Sequence, residues 1–142
     1  FLDHGEADDA LYIADTALSV WKREVDTTYN CYEHFMIENG RGAGFHQFSG
    51  LSTPILMWYS ALYRPYTVTS GFCTLIEEKK REDGAFSFKV SSTAPSPTVL
   101  VCLEEGKKSS FSTAAAVSQV KKGTYCLTYS APVTETVVVT EA

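Results

Sequence analysis

The chain has 142 residues, of which 44% are hydrophobic and 13% aromatic, so it can bury a core and form one domain or two small ones. Its net charge of −5 argues against a nucleic-acid partner, because no stripe of lysine or arginine is present to neutralise phosphates. No apolar run approaches the roughly 18 residues that a membrane span requires, so we expect a soluble protein with no membrane partner, and no signal pattern assigns a compartment.

The first half of the chain is predicted to be helical. Apolar residues recur at helical spacing from Glu6 to Val25, and Asp3 with Glu6 predicts a capping box ahead of that helix. A glycine-rich loop is predicted from Glu38 to Gly50, followed by a second helix from about Pro54 to Tyr63. The second helix is apolar around most of its circumference, which indicates that something outside this chain covers it.

The second half of the chain changes to the period of β-strands, with turn clusters between the strands. We expect these strands to form a small antiparallel β-sandwich. The predicted strands are Tyr66 to Leu75, Ala85 to Val90, Thr98 to Leu103, Ser110 to Thr113, Val117 to Val120, Thr124 to Tyr129 and Thr134 to Thr140.

The four cysteines, Cys31, Cys73, Cys102 and Cys126, lie too far apart in sequence for a metal site, so no metal and no cofactor is predicted. Cys102 and Cys126 fall on predicted strands, where they either pair if oxidised or remain buried free thiols.

Glu33 is the candidate for carboxylate chemistry. It lies among aromatic residues beside the glycine-rich loop. An inverting glycosidase needs one carboxylic acid to protonate the leaving oxygen and a second carboxylate, roughly 6.5–9.5 Å away, to activate water. Glu33 fits the second role, or it is an ordinary surface acid near a turn. Tyr32 either stacks on a sugar ring or packs in the core, and Arg41 either clamps a hydroxyl or anion or is merely solvated.

A second candidate site precedes the predicted second helix. His46, Gln47, Ser49, Ser52 and Thr53 lie where free backbone N–H groups and the helix dipole favour an anion such as phosphate. For Ser52 or Thr53 the alternative explanation is helix capping. For His46 the alternative is a hydrogen-bonded structural histidine.

These motifs resemble the C-terminal end of the six-hairpin, (α/α)6-barrel carbohydrate enzymes, especially the processing α-glucosidase and trehalase group. The resemblance covers Glu6 to Tyr63 and is carried by Glu33-x-Phe35, by Gly40 seven residues after the glutamate, and by Phe48-Ser49-Gly50-Leu51-Ser52. It implies that Glu33 is the general base. A β-sandwich beside the barrel is more typical of the related inverting phosphorylases, in which His and Ser/Thr residues bind inorganic phosphate as co-substrate.

Taken together, the expected fold class is α+β, with the C-terminal helices of an (α/α)6 barrel in residues 1–65 and an antiparallel β-sandwich in residues 66–142. Because the first residue is Phe1, we interpret the chain as a piece of a longer protein. We expect an enzyme that cleaves glycosidic bonds and is incomplete alone, with a larger chain or an upstream segment supplying the rest of the barrel and the catalytic acid. The alternatives are a phosphorylase and a non-catalytic binding or assembly module.

Overall fold

The computed structural model describes residues 1–142 and contains two helices and ten strands. The chain divides into a sandwich unit, formed by Phe1–Ala10 with Ala61–Ala142, and a helix–hairpin unit, formed by Leu11–Ser60. The elements in chain order are α1 (Ala7–Thr28), β1 (Tyr32–Phe35), β2 (Gly42–His46), α2 (Ser49–Tyr63), β3 (Thr67–Ser70), β4 (Thr74–Glu82), β5 (Ala85–Ser92), β6 (Thr98–Cys102), β7 (Ser109–Ser112), β8 (Ala116–Lys121), β9 (Thr124–Thr128) and β10 (Val133–Glu141).

The predicted fold class, barrel helices followed by a sandwich, is wrong. The chain is largely β, with 43% strand, 26% helix and three antiparallel sheets. Between the two helices, β1 and β2 pair antiparallel, with Phe35 opposite Gly42 and Tyr32 opposite His46. The segment predicted as a long glycine-rich loop therefore supplies a strand and the start of a helix. Consecutive helices of an (α/α)6 barrel pair directly, and here a β-hairpin separates them.

Helix α1 begins and ends close to the predicted bounds, but its expected capping box does not form. The Glu6 carbonyl accepts the first helical hydrogen bond from the Ala10 amide, at 3.2 Å, so Glu6 occupies the cap position. The Asp3 carboxylate instead accepts the Cys73 amide, with both oxygens 3.2 Å from the nitrogen. Asp3 therefore fixes a turn between strands of the sandwich unit rather than a helix end.

Helix α2 begins at Ser49, five residues before the predicted start, so Pro54 lies inside it. The hydroxyl of Thr53 donates to the Ser49 carbonyl at 2.9 Å, one turn back. Ser52 is buried and accepts the Trp21 indole N–H at 3.0 Å. Neither hydroxyl caps the helix, because both already lie within it.

The sandwich unit contains two four-stranded antiparallel sheets, with strand orders β4-β5-β10-β7 and β3-β6-β9-β8. Along β5, residues alternate between buried and half-buried, which confirms the predicted alternation from Phe86 to Val90. Strand β6 is buried along its whole length, also as predicted. One core joins the two sheets. Its buried members are Phe86, Phe88, Val90, Val99, Val101, Leu103, Leu127, Tyr129, Val137 and Val139.

The strand predicted from Tyr66 to Leu75 is in fact two strands, β3 and β4, which belong to different sheets. Strand β4 then continues through the charged run that ends at Glu82, with those side chains exposed. Charged side chains on an edge strand hinder pairing with other chains. A tight turn at Asp83 and Gly84, both with positive φ, leads into β5.

A hydrogen-bonded brace at Glu135 ties β10 to the turn before β8. Its carboxylate accepts the Tyr129 phenol at 2.7 Å, the Ala114 amide at 3.0 Å and the Thr113 hydroxyl. Burial alone would raise the pKa of Glu135, but these three donors favour the charged form and lower that pKa overall. Burial and the charged acceptor raise the pKa of Tyr129, so the phenol remains a donor.

We expect this brace to make stability depend on acid. A carboxyl whose pKa is lower in the folded than in the unfolded state stabilises the fold above its unfolded pKa, about 4.3 for glutamate, and loses that contribution as the pH falls through the folded pKa. Urea unfolding of Glu135→Gln should give a free energy of unfolding about 1 kcal/mol lower at neutral pH. That free energy should also fall less steeply as the pH is lowered into the acid range. Glu77→Gln, on exposed β4, is the control. If the free energy of unfolding falls equally steeply with decreasing pH in Glu135→Gln and in the unsubstituted chain, this expectation is wrong.

All four cysteines are free, so Cys102 and Cys126 do not form a disulfide. Leu100, not Cys102, lies opposite Cys126 on the neighbouring strand. The buried Cys102 thiol donates to the Leu62 carbonyl at 3.5 Å, and burial raises its pKa.

Neither helix combines the length and the apolar character that crossing a bilayer requires.

Candidate functional site

Glu33 lies at an irregular step in the β1–β2 hairpin. The strand register shifts between Tyr32 and His34, which places Glu33 at a bulge. Its side chain is half-buried, and Oε2 accepts the Phe45 amide at 3.4 Å. Gly44 has a φ of 83°, and a Cβ added there would lie 2.5 Å from the same oxygen. Only glycine leaves room for the carboxylate beside this strand.

Tyr32, the residue before Glu33, lies opposite His46 in the hairpin. Their rings meet edge to face, with centroids 5.1 Å apart. The Tyr32 ring also covers Gly42, where any side chain would collide with it. The hairpin therefore pairs two of the predicted site residues, Tyr32 and His46, and places Glu33 next to Tyr32 along β1.

Asn30 holds the open end of the hairpin. Its side-chain oxygen accepts the amides of Cys31, at 3.0 Å, and Gln47, at 2.9 Å. The Phe48 amide donates to the Cys31 carbonyl at 3.2 Å. Gln47 has a positive φ of 54°, a conformation that the Asn30 bond helps to hold. Gln47 is thus positioned by its backbone, and its exposed side chain points to no partner within the chain.

Arg41 lies at the other end of the hairpin and is engaged with α1. Its Nε is 3.3 Å from Oε1 and 3.1 Å from Oε2 of Glu24, a carboxylate whose side chain is 3% exposed. Arg23 fixes the same turn by donating to the Gly40 carbonyl at 3.0 Å. The structure therefore places Arg41 in an ion pair apart from Glu33 and His46.

The predicted anion-binding residues are not gathered at one helix end. Ser49 is exposed at the first position of α2, and Ser52 and Thr53 bond to Trp21 and to the Ser49 carbonyl, as described above. His46 lies on β2 beside Tyr32. The set is thus divided between the hairpin and the helix.

Two residues that position the hairpin were not singled out from the sequence. Glu24 follows Trp21 at helical spacing on the buried side of α1, and an acid on an apolar face was a signal that a partner cation exists. Asn30 precedes a strand after a helix end, a position where its side chain commonly bonds local backbone. Both act on the hairpin rather than on a ligand.

The helix–hairpin unit also exposes most of the large hydrophobic side chains that the chain leaves in solvent. On α2, Ile55 is buried, whereas Leu56, Met57, Trp58 and Tyr59 are exposed. On the hairpin and its turn, Phe45 and Ile37 are exposed as well, Ile37 by 99%. Such a concentration of exposed apolar side chains is unusual for a surface that faces only water.

No group of three or more His, Cys, Asp or Glu side chains is arranged to hold a metal ion. Comparisons of the chain with protein-family models, with curated proteins and with solved structures found no match. The resemblance to the six-hairpin carbohydrate enzymes is wrong, because the chain is a mostly β domain with only two helices and no family model matches it.

Proposed function

We propose that the chain contributes part of a site that cleaves glycosidic bonds by inverting hydrolysis, with Glu33 as the general base. The observation that carries the proposal is the half-buried Glu33 carboxylate on the hairpin, beside the bare backbone of Gly44. Glu33 directly follows Tyr32, whose ring contacts that of His46. A carboxylate held by a backbone amide keeps a second oxygen for water, and neighbouring rings suit the faces of sugars.

In this proposal the catalytic acid comes from outside the helix–hairpin unit. The buried acid of the helix–hairpin unit, Glu24, is committed to Arg41, and inverting hydrolysis needs a proton donor about 6.5–9.5 Å from the base. The proposal therefore includes a larger chain or another segment of the same polypeptide that covers the exposed apolar side chains and supplies the acid. The substrate class is an oligosaccharide or polysaccharide.

Phosphorolysis has less support than hydrolysis. A phosphorylase would need donors converging on inorganic phosphate. Here Ser52 accepts the indole N–H of Trp21 and Thr53 bonds back into its own helix. His46, Gln47 and Ser49 remain, and they are divided between the hairpin and the first position of α2.

The direct test uses the native material, purified with any chain that accompanies it. Oligosaccharides are incubated with and without inorganic phosphate, and the products are identified by mass and anomeric configuration. Free reducing sugar of inverted configuration, formed without phosphate, is the expected result. Sugar 1-phosphate that forms only when phosphate is present would show that the reaction is phosphorolysis, and the hydrolase proposal would be wrong.

A second candidate function is a non-catalytic module, in which the sandwich unit is joined to a docking arm. The exposed apolar side chains of α2 favour it, because they suit a protein–protein contact whether or not Glu33 reacts. Native material that contains a larger chain but cleaves no saccharide, and whose behaviour Glu33→Gln leaves unchanged, would support this candidate over the enzyme.

A further inference from the structure

A polar pocket lies in the sandwich unit, where β4, β5 and β10 meet. It encloses about 270 Å³ next to the β4–β5 turn. Its walls are Tyr66, Arg81, the turn from Glu82 to Ala85, Lys107 and Glu141. None of these residues belongs to the hairpin, so the pocket is distinct from the site proposed above.

Tyr66 and Arg81 contact each other in the wall of this pocket. The guanidinium carbon of Arg81 lies 3.7 Å from the Tyr66 ring centroid, and Nη2 donates to the Tyr66 hydroxyl at 2.8 Å. That hydroxyl donates in turn to Glu141 Oε2 at 2.7 Å. Burial and the Glu141 acceptor raise the pKa of Tyr66, so it stays a donor.

Charged side chains of both signs surround the pocket, and carboxylates outnumber the cations. Glu104 pairs with Arg81 at 3.5 Å and with Lys107, and Lys107 also lies 3.8 Å from Glu141 Oε2. The hydrogen bond with Glu104 raises the pKa of Lys107, which therefore remains an ammonium. Two cations, Arg81 and Lys107, face four carboxylates, because Glu82 and Asp83 also line the pocket beside Glu104 and Glu141. An anionic ligand would add to this excess of negative charge, whereas a neutral ligand would not.

One atom of the set lacks a partner. Glu141 Oε1 is buried without any hydrogen bond, on a side chain that is 7% exposed. An unpaired buried carboxylate oxygen is costly. Meanwhile Arg81 bonds only through Nη2, so its Nε and Nη1 donors remain unused. The pocket thus combines an unused acceptor with unused donors.

We propose that this pocket binds a neutral polyol, such as a monosaccharide, through adjacent hydroxyl groups. A hydroxyl is both donor and acceptor, so one group donates to Glu141 Oε1 while its neighbour accepts from Arg81 or Lys107. Oε1 is enclosed, so binding requires a pocket side chain to move. Lys107, which is 42% exposed on a flexible stem and lies 3.8 Å from Oε2 of the same carboxylate, is able to do so. The inference does not depend on the proposed hydrolysis.

The test is an NMR titration of the full chain with D-glucose, D-galactose and myo-inositol, followed through backbone amide shifts. Saturable shifts at Gly84, Lys107 and Glu141 are expected. Glu141→Gln presents an amide where the acceptor oxygen was, and should weaken binding about tenfold or more, as expected for a lost hydrogen bond to a charged group. Glu105→Gln, a neighbouring exposed acid outside the pocket, should bind as the unsubstituted chain does.

Lys107→Met gives a second variant, at a partly exposed lysine 3.8 Å from the buried Glu141 carboxylate, and it should weaken binding severalfold. Thermal unfolding verifies that each variant is folded. Ammonium chloride and inorganic phosphate serve as charged probes. The proposal is overturned if no polyol produces saturable shifts, if Glu141→Gln binds as tightly as the unsubstituted chain, or if a charged probe binds and the polyols do not. Shifts confined to the hairpin near Glu33 would also overturn it while leaving the proposed hydrolysis intact.

Discussion

Replacing Glu33 by Gln is expected to lower the rate of glycosidic-bond cleavage by the native material about 10²–10⁴-fold, the usual contribution of general base catalysis. The amide cannot take a proton from water at neutral pH. It retains an oxygen for the Phe45 amide, which Glu33 Oε2 accepts at 3.4 Å, so the hairpin should fold as before. The measurement is the initial rate on an oligosaccharide, with thermal unfolding as the check on folding.

Glu38→Gln is the matched control, because Glu38 is an exposed acid in the same hairpin turn. Its rate should equal that of the unsubstituted material. A Glu33→Gln rate within about twofold of the starting rate, a difference of under ~0.5 kcal/mol in activation free energy, would remove Glu33 from the reaction. KM should change little, since the substitution is isosteric and removes a step rather than a binding contact.

The strands of the sandwich unit could be predicted from the sequence because their burial follows from local alternation. Phe86, Phe88 and Val90 are buried on one face of β5, as a period of two requires. Even so, the division of the first predicted strand into β3 and β4 was not visible. In the turn between these strands the Cys73 amide donates to Asp3, a residue far away in sequence, and such a contact has no local signal.

The β-hairpin escaped prediction because its residues carry weak strand signals. Strand β2, Gly42–His46, contains two glycines, which are depleted in strands and typical of loops. Here they are needed because the Tyr32 ring lies over Gly42 and the Glu33 carboxylate lies beside Gly44. The same glycines that indicated a loop are therefore what permits the strand to form against those side chains.

The residues proposed for the site from the sequence are only partly close together in the structure. Strand pairing places Tyr32 opposite His46, and Glu33 follows Tyr32 along β1. Arg41, Ser52 and Thr53 are drawn away by partners that the sequence does not identify, namely Glu24, Trp21 and the Ser49 carbonyl. Spacing alone does not distinguish a polar side chain that is free for a ligand from one that is already bonded.

Replacing Arg41 by Met is expected to destabilise the chain by about 2–4 kcal/mol, because it leaves the Glu24 carboxylate buried without its cation. The arginine stem is retained in length, so lost packing contributes little. This loss of stability is smaller than for a fully buried ion pair, because the Arg41 side chain is 62% exposed although that of Glu24 is only 3% exposed. Urea unfolding measures the change, and amide exchange along α1 and the hairpin should locate it.

Lys22→Met is the control, because it breaks an ion pair with Asp26 in which both side chains are largely exposed. Exposed pairs of this kind contribute about 0.3–0.5 kcal/mol on a helix. Adding Glu24→Met to Arg41→Met should recover most of the lost stability, since the unpaired charge is then gone. If Arg41→Met leaves stability unchanged but weakens saccharide binding, then Arg41 serves the substrate, and the ion pair with Glu24 is not what holds the hairpin turn.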